Sequence, residues 1–265
     1  MDKHLKKLEN ESIYILRQSY RSIKNLAMLW SLGKDSNVMV WLAFKAFLGK
    51  IPFPLVHVDT EKKFREMYDF RDEYEKKWKL KLIKGSCPSI EEIDPSLPKA
   101  ARSAARKTEG LKRVLKEYKF KGIIAGIRRD EQGTRAKERI FSPRDESGTW
   151  DMNNQPPEFW DQSNFNYPDK VHIRIHPLLG WTEIDIWNYI KDQNIPIVNL
   201  YFSKNGKRYR SLGDKDITFP VNSDAKTLDE IIDELKITQI SERSGRAMDH
   251  EQEDVFERLR SKGYM

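Results

Sequence analysis

The sequence contains a single cysteine, Cys87, among 265 residues. One thiol excludes an internal disulfide and any metal site that needs two or four cysteines. Cys87 lies in the segment Gly85-Ser86-Cys87-Pro88, before a proline-containing loop, and we interpret it as an ordinary thiol rather than a nucleophile. The chemistry of this protein therefore has to come from other residue types.

Long apolar stretches are also missing. No window approaches the roughly 18 uninterrupted apolar residues of a membrane-spanning helix. Residues 1–7 lead into further charge rather than into the apolar core of a signal peptide. We therefore expect a soluble, cytoplasmic protein with no membrane partner.

Neither sign of charge dominates the composition. The chain has 48 Lys and Arg against 41 Asp and Glu, a net charge of +7, which attracts polyanions such as ATP without singling out nucleic acid. The length and the apolar content of 38% suit one main domain and a smaller part. We predict an α/β domain over residues 1–200 and a C-terminal extension with a basic loop and helices over residues 201–265.

The apolar pattern alternates between strands and helices. We predict an N-terminal helix over residues 5–24, and helix starts at the capping boxes of Thr182 and Thr227. The predicted strands cover residues 26–30, 54–58, 80–83, 122–126 and 171–175. This order predicts a mostly parallel sheet with helices on both faces and with ligands at the carboxyl ends of the strands.

Two stretches show little periodicity. Residues 145–169 are interpreted as an ordered loop or lid, because their large rings would be costly to expose. Those rings belong to Trp150, Phe159, Trp160, Phe165 and Tyr167. Near the C-terminus, only Val255, Leu259 and Tyr264 follow a weak helical pattern.

The junction between the first strand and the next helix is the most informative motif. It consists of Ser31, Leu32, Gly33, Lys34, Asp35 and Ser36. Loop amides, a lysine, two hydroxyls and a helix N-terminus would converge here on an anion, which predicts a phosphate-binding loop. An ordinary capped turn is the alternative. The common G-x-x-x-x-G-K-[ST] nucleotide loop is excluded, because Met28 stands where its first glycine belongs.

Other candidate residues follow the predicted strands. Asp59, at the end of the second strand, could accept a hydrogen bond from a nucleoside or hold a water of Mg²⁺, or it could cap a helix. The run 128–139 after the fourth strand is predicted to bind anions through its arginines, although a solvated helix with a Glu131–Arg135 pair is possible. A later basic cluster would close over an anion or lie on the surface. It comprises Lys204, Lys207, Arg208 and Arg210.

Several motifs, in order along the chain, resemble the PP-loop ATP pyrophosphatases, and most closely the family of small sulfate adenylyltransferase subunits, relatives of phosphoadenylylsulfate reductases. They lie at residues 31–36, 57–60, 63–68, 107–111, 128–139, 181–187 and 241–246. The resemblance implies a Rossmann-like adenine nucleotide alpha-hydrolase fold. It also implies transfer of AMP from ATP to sulfate, with release of pyrophosphate.

The same resemblance implies residue roles. Residues 31–36 would hold the β,γ-pyrophosphate, and Asp59 would help to bind the nucleoside or Mg²⁺. From charge and position, we predict catalytic roles for Lys34, Arg128 and Arg129. Sulfate or phosphate contacts are predicted for Arg135, Arg139, Arg208 and Arg210. No metal site made by the protein alone is expected.

The family also implies partners and leaves alternatives. A separate large GTPase subunit would drive the uphill reaction, and a homo-oligomer is possible. The chain departs from the family at Gly213-Asp214, where Gly-Cys is usual, at Glu61-Lys62, where Gly-Trp is usual, and in a shorter region around 203–207. Another acceptor, such as an oxyanion, a carboxylate or a nucleoside, is therefore the alternative. A reductase is disfavoured by the single cysteine, and a non-catalytic binding protein by the intact loop.

Overall fold

The computed structural model describes residues 1–145, 148–151, 155, 158, 171–240 and 242. The helices are α1 (Lys3–Ser22), α2 (Lys34–Ala46), α3 (Arg65–Lys77), α4 (Lys99–Tyr118), α5 (Glu183–Gln193) and α6 (Leu228–Ile237). The strands are β1 (Leu26–Leu29), β2 (Leu55–Asp59), β3 (Leu82–Ser86), β4 (Gly122–Ile124), β5 (Phe141–Arg144), β6 (His172–Ile175), β7 (Lys207–Arg208) and β8 (Val221–Asn222). Short 3₁₀ turns lie at Ile90–Glu92, Gly133–Arg135, Asn199–Tyr201 and Lys215–Ile217.

The main sheet has the strand order β3-β2-β1-β4-β6-β5. The pairs from β3 to β6 are parallel, and β5 is an antiparallel edge strand. Strands β7 and β8 form a separate antiparallel ribbon. From β1 the chain builds outward first to β2 and β3 and then to β4, so the order reverses between β1 and β4. A crevice at the carboxyl ends of these two strands is the usual ligand position in such sheets.

The two faces of the sheet carry separate apolar clusters. Along β1, Leu26 and Met28 join one cluster with α1, α2, α3 and α5, whereas Ala27 and Leu29 join the other with Leu111 of α4. This alternation follows from the two-residue period of a strand. Helices therefore cover both faces, as the sequence predicts.

The C-terminal part shares this core. Tyr201, Leu212, Ile231 and Ile232 belong to the larger cluster, so apolar packing continues across residue 200. The division into domains at that residue stays a prediction. Within the described residues, no helix is both long and apolar enough to cross a membrane.

Most predicted elements match the structure closely. The predicted strand over 80–83 is wrong in its bounds, because β3 runs two or three residues later, and β5 was not predicted at all. The segment 128–139 forms turns and one 3₁₀ turn, so the alternative of a solvated helix is wrong. Both capping boxes are confirmed, with Thr182 accepting from Asp185 and Thr227 from Glu230.

Some predictions lie wholly or partly outside the described residues. Within the predicted lid, Trp150 is described and buried. The other rings named there fall outside the described part, as does the weak pattern near the C-terminus. The excluded residues are Phe159, Trp160, Phe165, Tyr167, Val255, Leu259 and Tyr264.

Candidate active site

A cavity of about 220 Å³ opens at the carboxyl ends of β1, β2 and β4. Its walls combine apolar strand residues with charged groups. They are Leu29, Trp30, Ser31, Gly33, Lys34, Asp35, Ser36, Val56, Val58, Lys63, Lys107, Thr108, Ala125, Gly126, Ile127, Glu131, Arg135, Tyr201, Ser211, Leu212, Gly213 and Glu242. The cavity therefore lies where the strand order reverses, and the predicted loop 31–36 forms one of its walls.

The loop turns through a left-handed residue. Leu32 has a φ of 70°, and its side chain is buried in the core rather than in the cavity wall. Gly33 then precedes the first residue of α2 with an ordinary φ of −77°. The Ser36 hydroxyl donates to the Gly33 carbonyl over 2.9 Å, and the Lys34 amide donates to the Tyr201 hydroxyl over 2.9 Å. The turn thus brings the N-terminus of α2, where anions are favoured, to the cavity.

Close packing at the end of β4 keeps this helix in place. A side chain at Gly126 would put its Cβ 3.1 Å from Cγ of Met39 and 3.4 Å from the Asp35 carbonyl. Behind the loop, the indole of Trp30 donates to Asn37 over 2.8 Å, and the Asn37 amide donates to the Pro196 carbonyl over 3.2 Å. The first turn of α2 is therefore anchored from both sides.

Lys34 is almost completely buried beside the cavity. Its ammonium group hydrogen-bonds the carboxylate of Glu242, and lies 3.7 Å from Asp35 and 4.0 Å from Glu183. Burial opposes the charge, but the carboxylates of Glu242 and Glu183 outweigh it and raise the pKa of Lys34 above its ordinary value. Lys34 is therefore a fixed cation.

Arg128 lies behind Lys34 and is also fully buried. It donates to the carboxylates of Asp35 and Glu242, and to Asp130 over 2.9 Å. We refer to Lys34, Asp35, Arg128 and Glu242 as the cradle cluster. Although burial opposes it, the adjacent cations hold the pKa of Glu242 well below its ordinary value. The ionised carboxylate of Glu242 thus offsets part of the charge of two cations beside the loop 31–36.

The remaining predicted arginines of the run 128–139 separate into two groups. Arg135 lines the cavity, and its guanidinium is paired with Glu131, which also lines the cavity. Arg129 does not, because its guanidinium turns back to the Glu138 carbonyl at 3.2 Å and its side chain is 42% exposed. Arg139 also stays outside the wall, where its carbonyl accepts from Nδ1 of His176 over 2.8 Å.

Arg208 and Arg210 do not reach the cavity wall with their guanidinium groups. Arg208 is fully buried on β7 and donates to Glu234 of α6 over 2.6 Å. Arg210 donates to Glu183 over 2.8 Å and to the Ile240 carbonyl over 2.6 Å. Both side chains therefore pair with carboxylates outside the cavity wall: Arg208 links β7 to α6, and Arg210 links the C-terminal part to α5.

Asp59 stands at the end of β2 but outside the cavity wall. Its carboxylate accepts from the Glu61 amide over 2.8 Å, from the Tyr68 hydroxyl over 2.8 Å and from Arg71 over 3.1 Å. Burial opposes ionisation, yet these donors hold the pKa of Asp59 below its ordinary value. Because strand residues alternate, Val56 and Val58 line the cavity while Asp59 points elsewhere.

Reasoning from the sequence missed several wall residues. Lys63, Lys107 and Thr108 line the cavity from the side of α3 and α4, and Glu242 lines it from the C-terminal segment. All four fall within segments that resemble the small-subunit family, which was the available signal. Position along the chain could not reveal that they face the same cavity as residues 31–36.

Metal ligation by the protein alone finds no support in the described part of the chain. Among those residues, no group of three or more His, Cys, Asp or Glu could hold a metal ion.

Cys87 is half-buried, and burial raises the pKa of its thiol to about 11, so it is a poor nucleophile.

Solved structures with a similar fold include two adenine-nucleotide proteins. FMN adenylyltransferase from Candida glabrata, in complex with ATP, aligns with a TM-score of 0.55 at 20% identity, over 82% of this chain and 63% of that chain. A phosphoadenylyl-sulfate reductase from Candida auris aligns with a TM-score of 0.54 at 18% identity, over 82% and 96%. At these identities, the likeness concerns the fold alone.

Curated relatives are much more similar in sequence. Sulfate adenylyltransferase subunit 2 of Aeromonas salmonicida is 43% identical, over 98% of this chain and 95% of the relative. The protein of the same name from Sulfurimonas denitrificans is 42% identical, over 98% and 97%. Both alignments run over 294 positions, more than the 265 residues of this chain, so the relatives carry segments that it lacks.

The family assignment rests on the curated relatives and on a family model. Residues 25–220 match the family model of the phosphoadenosine phosphosulfate reductase domain. Those residues contain every strand of the main sheet and the loop 31–36. This chain belongs to the phosphoadenosine phosphosulfate reductase domain family and, within it, to the sulfate adenylyltransferase subunit 2 family.

Proposed function

We propose that this protein transfers the adenylyl group of ATP to sulfate, giving adenosine 5′-phosphosulfate and pyrophosphate. The observation that carries the proposal is the position of the loop 31–36, at a helix N-terminus beside a buried cation, in a cavity at the reversal of strand order. The names of the relatives supply the acceptor.

The reaction needs placement and charge neutralisation more than proton transfer. A sulfate oxygen attacks the α-phosphorus and forms the new P–O bond, while the bond from the α-phosphorus to the α,β-bridging oxygen breaks. Pyrophosphate leaves with that electron pair. Because sulfate is already an anion, no general base is needed, and the cavity has to bring anions together and stabilise the leaving group.

We assign the residues according to the cavity. The amides and hydroxyls of residues 31–36, with Lys34, bind the leaving pyrophosphate, and the apolar strand residues Val56 and Val58 accommodate the nucleoside. Within the cradle cluster, Arg128 holds the carboxylates of Asp35 and Glu242 in place. Arg135 contacts the α-phosphate or sulfate. Five predicted residues stand outside the cavity wall, and we assign them structural rather than substrate-binding roles: Asp59, Arg129, Arg139, Arg208 and Arg210.

Magnesium would reach the cavity with ATP. Mg²⁺ in such sites is held by substrate phosphates and one or two carboxylates, and it neutralises phosphate charge. Asp35 and Glu131 line the cavity and offer carboxylates of the right chemistry. We propose that either of them holds the ion.

A GTP-hydrolysing partner is the second part of the proposal. The relatives are named as a second subunit, which implies a heteromeric complex. Sulfate adenylation is strongly uphill, because the phosphate–sulfate anhydride lies higher in energy than the α,β-bond of ATP. The G-x-x-x-x-G-K-[ST] nucleotide loop does not occur in this sequence. We therefore propose a separate large GTPase subunit, and a cytoplasmic location where ATP and GTP are available.

Product analysis tests this function. The protein is incubated with ATP, ³⁵S-sulfate, Mg²⁺ and an inorganic pyrophosphatase, with and without the GTPase encoded by the same organism and GTP. We expect labelled adenosine 5′-phosphosulfate, with more of it when the GTPase and GTP are present. Lys34→Met should lower the yield by about a hundredfold or more, whereas Lys50→Met, at an exposed lysine beyond α2, should not. No labelled product under any condition would contradict the proposal.

A further inference from the structure

Asp214 is a fully buried carboxylate directly behind the cavity. It follows Gly213, which lines the cavity wall. Its oxygens accept hydrogen bonds from the Thr60 hydroxyl over 2.7 Å and from the Ser103 hydroxyl. Both hydroxyls are buried. These donors form an anion-binding site, and the carboxylate of Asp214 itself occupies it.

Two lysines complete the surroundings of this carboxylate. Nζ of Lys107 lies 2.9 Å from Oδ2 of Asp214, and Nζ of Lys63 lies 3.6 Å from Oδ1. Both lysines line the cavity. Burial opposes the charge of Asp214, but Lys107 and Lys63 hold its pKa well below its ordinary value. The carboxylate is therefore ionised at neutral pH and links two cations that stand at the ligand.

The same residue also connects separate parts of the wall. Thr60 and Lys63 come from the turn after β2, whereas Ser103 and Lys107 come from α4. Beside it, the Lys215 amide donates to the Lys62 carbonyl over 2.8 Å. Without the carboxylate, the two ammonium groups would repel one another in a partly buried space and would move apart. The carboxylate of Asp214 therefore fixes the positions of both ammonium groups.

We propose that Asp214 is a positioning residue that holds Lys63 and Lys107 at the cavity wall, where their ammonium groups bind the anionic part of the nucleotide. This inference rests on the proposed function, because it takes ATP as the ligand of the cavity. It adds a second anion-binding part of the wall, built by the turn after β2 and by α4, to that of the cradle cluster.

Anion rescue tests the position of the carboxylate. Asp214→Ala leaves a space the size of formate between the same donors. We expect its dissociation constant for ATP, measured by calorimetry, to rise about tenfold, as for the loss of one charge-assisted hydrogen bond. Formate should restore the affinity in a concentration-dependent way, and the neutral analogue formamide should not. Restored thermal stability without restored ATP affinity would overturn the proposal, because it is the result of a purely structural role.

A double-mutant cycle tests the route of action and does not require the alanine variant to fold. Asp214→Asn keeps the shape of the side chain, and Lys107→Met removes one of the cations it holds. We expect each single variant to bind ATP about tenfold more weakly, and the double variant to lose less than the two single losses combined, because only the effect through Lys63 then remains. Additive losses, or unchanged affinity in Asp214→Asn, would overturn the proposal. Failure of the wild-type protein to bind ATP would instead contradict the proposed function.

Discussion

The ammonium group of Lys34 donates a hydrogen bond to the carboxylate of Glu242, and the guanidinium of Arg128 donates to the same carboxylate. All three groups are buried, and Glu242 lines the cavity. One residue of the C-terminal segment thus offsets part of the charge of the two cations beside the loop 31–36. A pyrophosphate group that contacts Lys34 has to compete with this carboxylate.

Replacing Glu242 by glutamine should therefore strengthen pyrophosphate binding. The neutral side chain keeps the shape but removes the competing charge, and we expect the dissociation constant of pyrophosphate to fall about tenfold, the effect of one short-range charge interaction. Calorimetric titration measures it. Glu117→Gln, at an exposed position of α4, serves as the matched control. Weaker binding in Glu242→Gln would mean that this carboxylate prepares the cations rather than competing for them.

Arg135 and Arg129 offer a matched pair within one segment. Arg135 lines the cavity, whereas Arg129 turns to the Glu138 carbonyl outside it. We expect Arg135→Ala to lower kcat/KM for adenylyl transfer about a hundredfold, and Arg129→Ala to change it by less than about threefold. Steady-state kinetics of the two variants measure these changes in kcat/KM. The reverse order would show that the cavity wall has been assigned to the wrong arginine.

Asn37 should contribute to stability through two side-chain hydrogen bonds. It accepts from the indole of Trp30 and donates to the Pro196 carbonyl, so Asn37→Ala leaves the buried indole and the half-buried carbonyl without this partner. We expect the free energy of unfolding to fall by about 2 kcal/mol. Urea denaturation followed by tryptophan fluorescence measures it, with Asn222→Ala at an exposed strand end as control. Equal stability of the two variants would contradict the anchoring of α2.

Buried histidines should make the protein sensitive to mild acid. His57 is fully buried, and its Nδ1 donates to the Trp30 carbonyl over 2.9 Å. Burial and the charge of Lys63 lower the pKa of His57 to about 4, below the ordinary value of 6.5. The unfolded chain therefore binds a proton first, and stability falls as the pH decreases from 6.5 towards 4.

The variant His57→Asn isolates the contribution of His57 to the pH dependence of stability, because the Asn side chain can donate the same hydrogen bond. The decrease in the free energy of unfolding attributable to His57 is at most about 3 kcal/mol. Compared with His57→Asn, the wild-type protein should therefore lose more stability between pH 6.5 and pH 4. Chemical denaturation at several pH values measures this difference. Parallel stability curves for the two proteins would show that His57 does not titrate as its burial requires.

Local patterns were sufficient to predict the framework of this site. The apolar run before Ser31, the loop 31–36 and the helix expected after it correspond to β1, the turn and α2. The strand order could not be read from them, but strand ends in an α/β fold meet at one edge, so the position of the cavity was predictable.

Individual side chains after the strand ends were less predictable. Arg129 and Arg135 belong to one basic run without a period, and only the local turns decide that Arg135 faces the cavity. Asp59 follows a strand like many ligand-binding residues, yet three nearby donors retain it outside the wall. Glu242 and Asp214 act through partners more than 100 positions away along the chain, and spacing carries no information about such pairs.

Isotope exchange between ³²P-pyrophosphate and ATP tests the central claim most directly, because it follows formation and reversal of the adenylyl bond in one cavity. The assay compares the wild-type protein and Lys34→Met, with and without sulfate, and with the GTPase subunit added in a parallel series. The account predicts exchange that requires sulfate and is lost in Lys34→Met. Exchange that proceeds equally well without sulfate, or that survives the loss of Lys34, would contradict it.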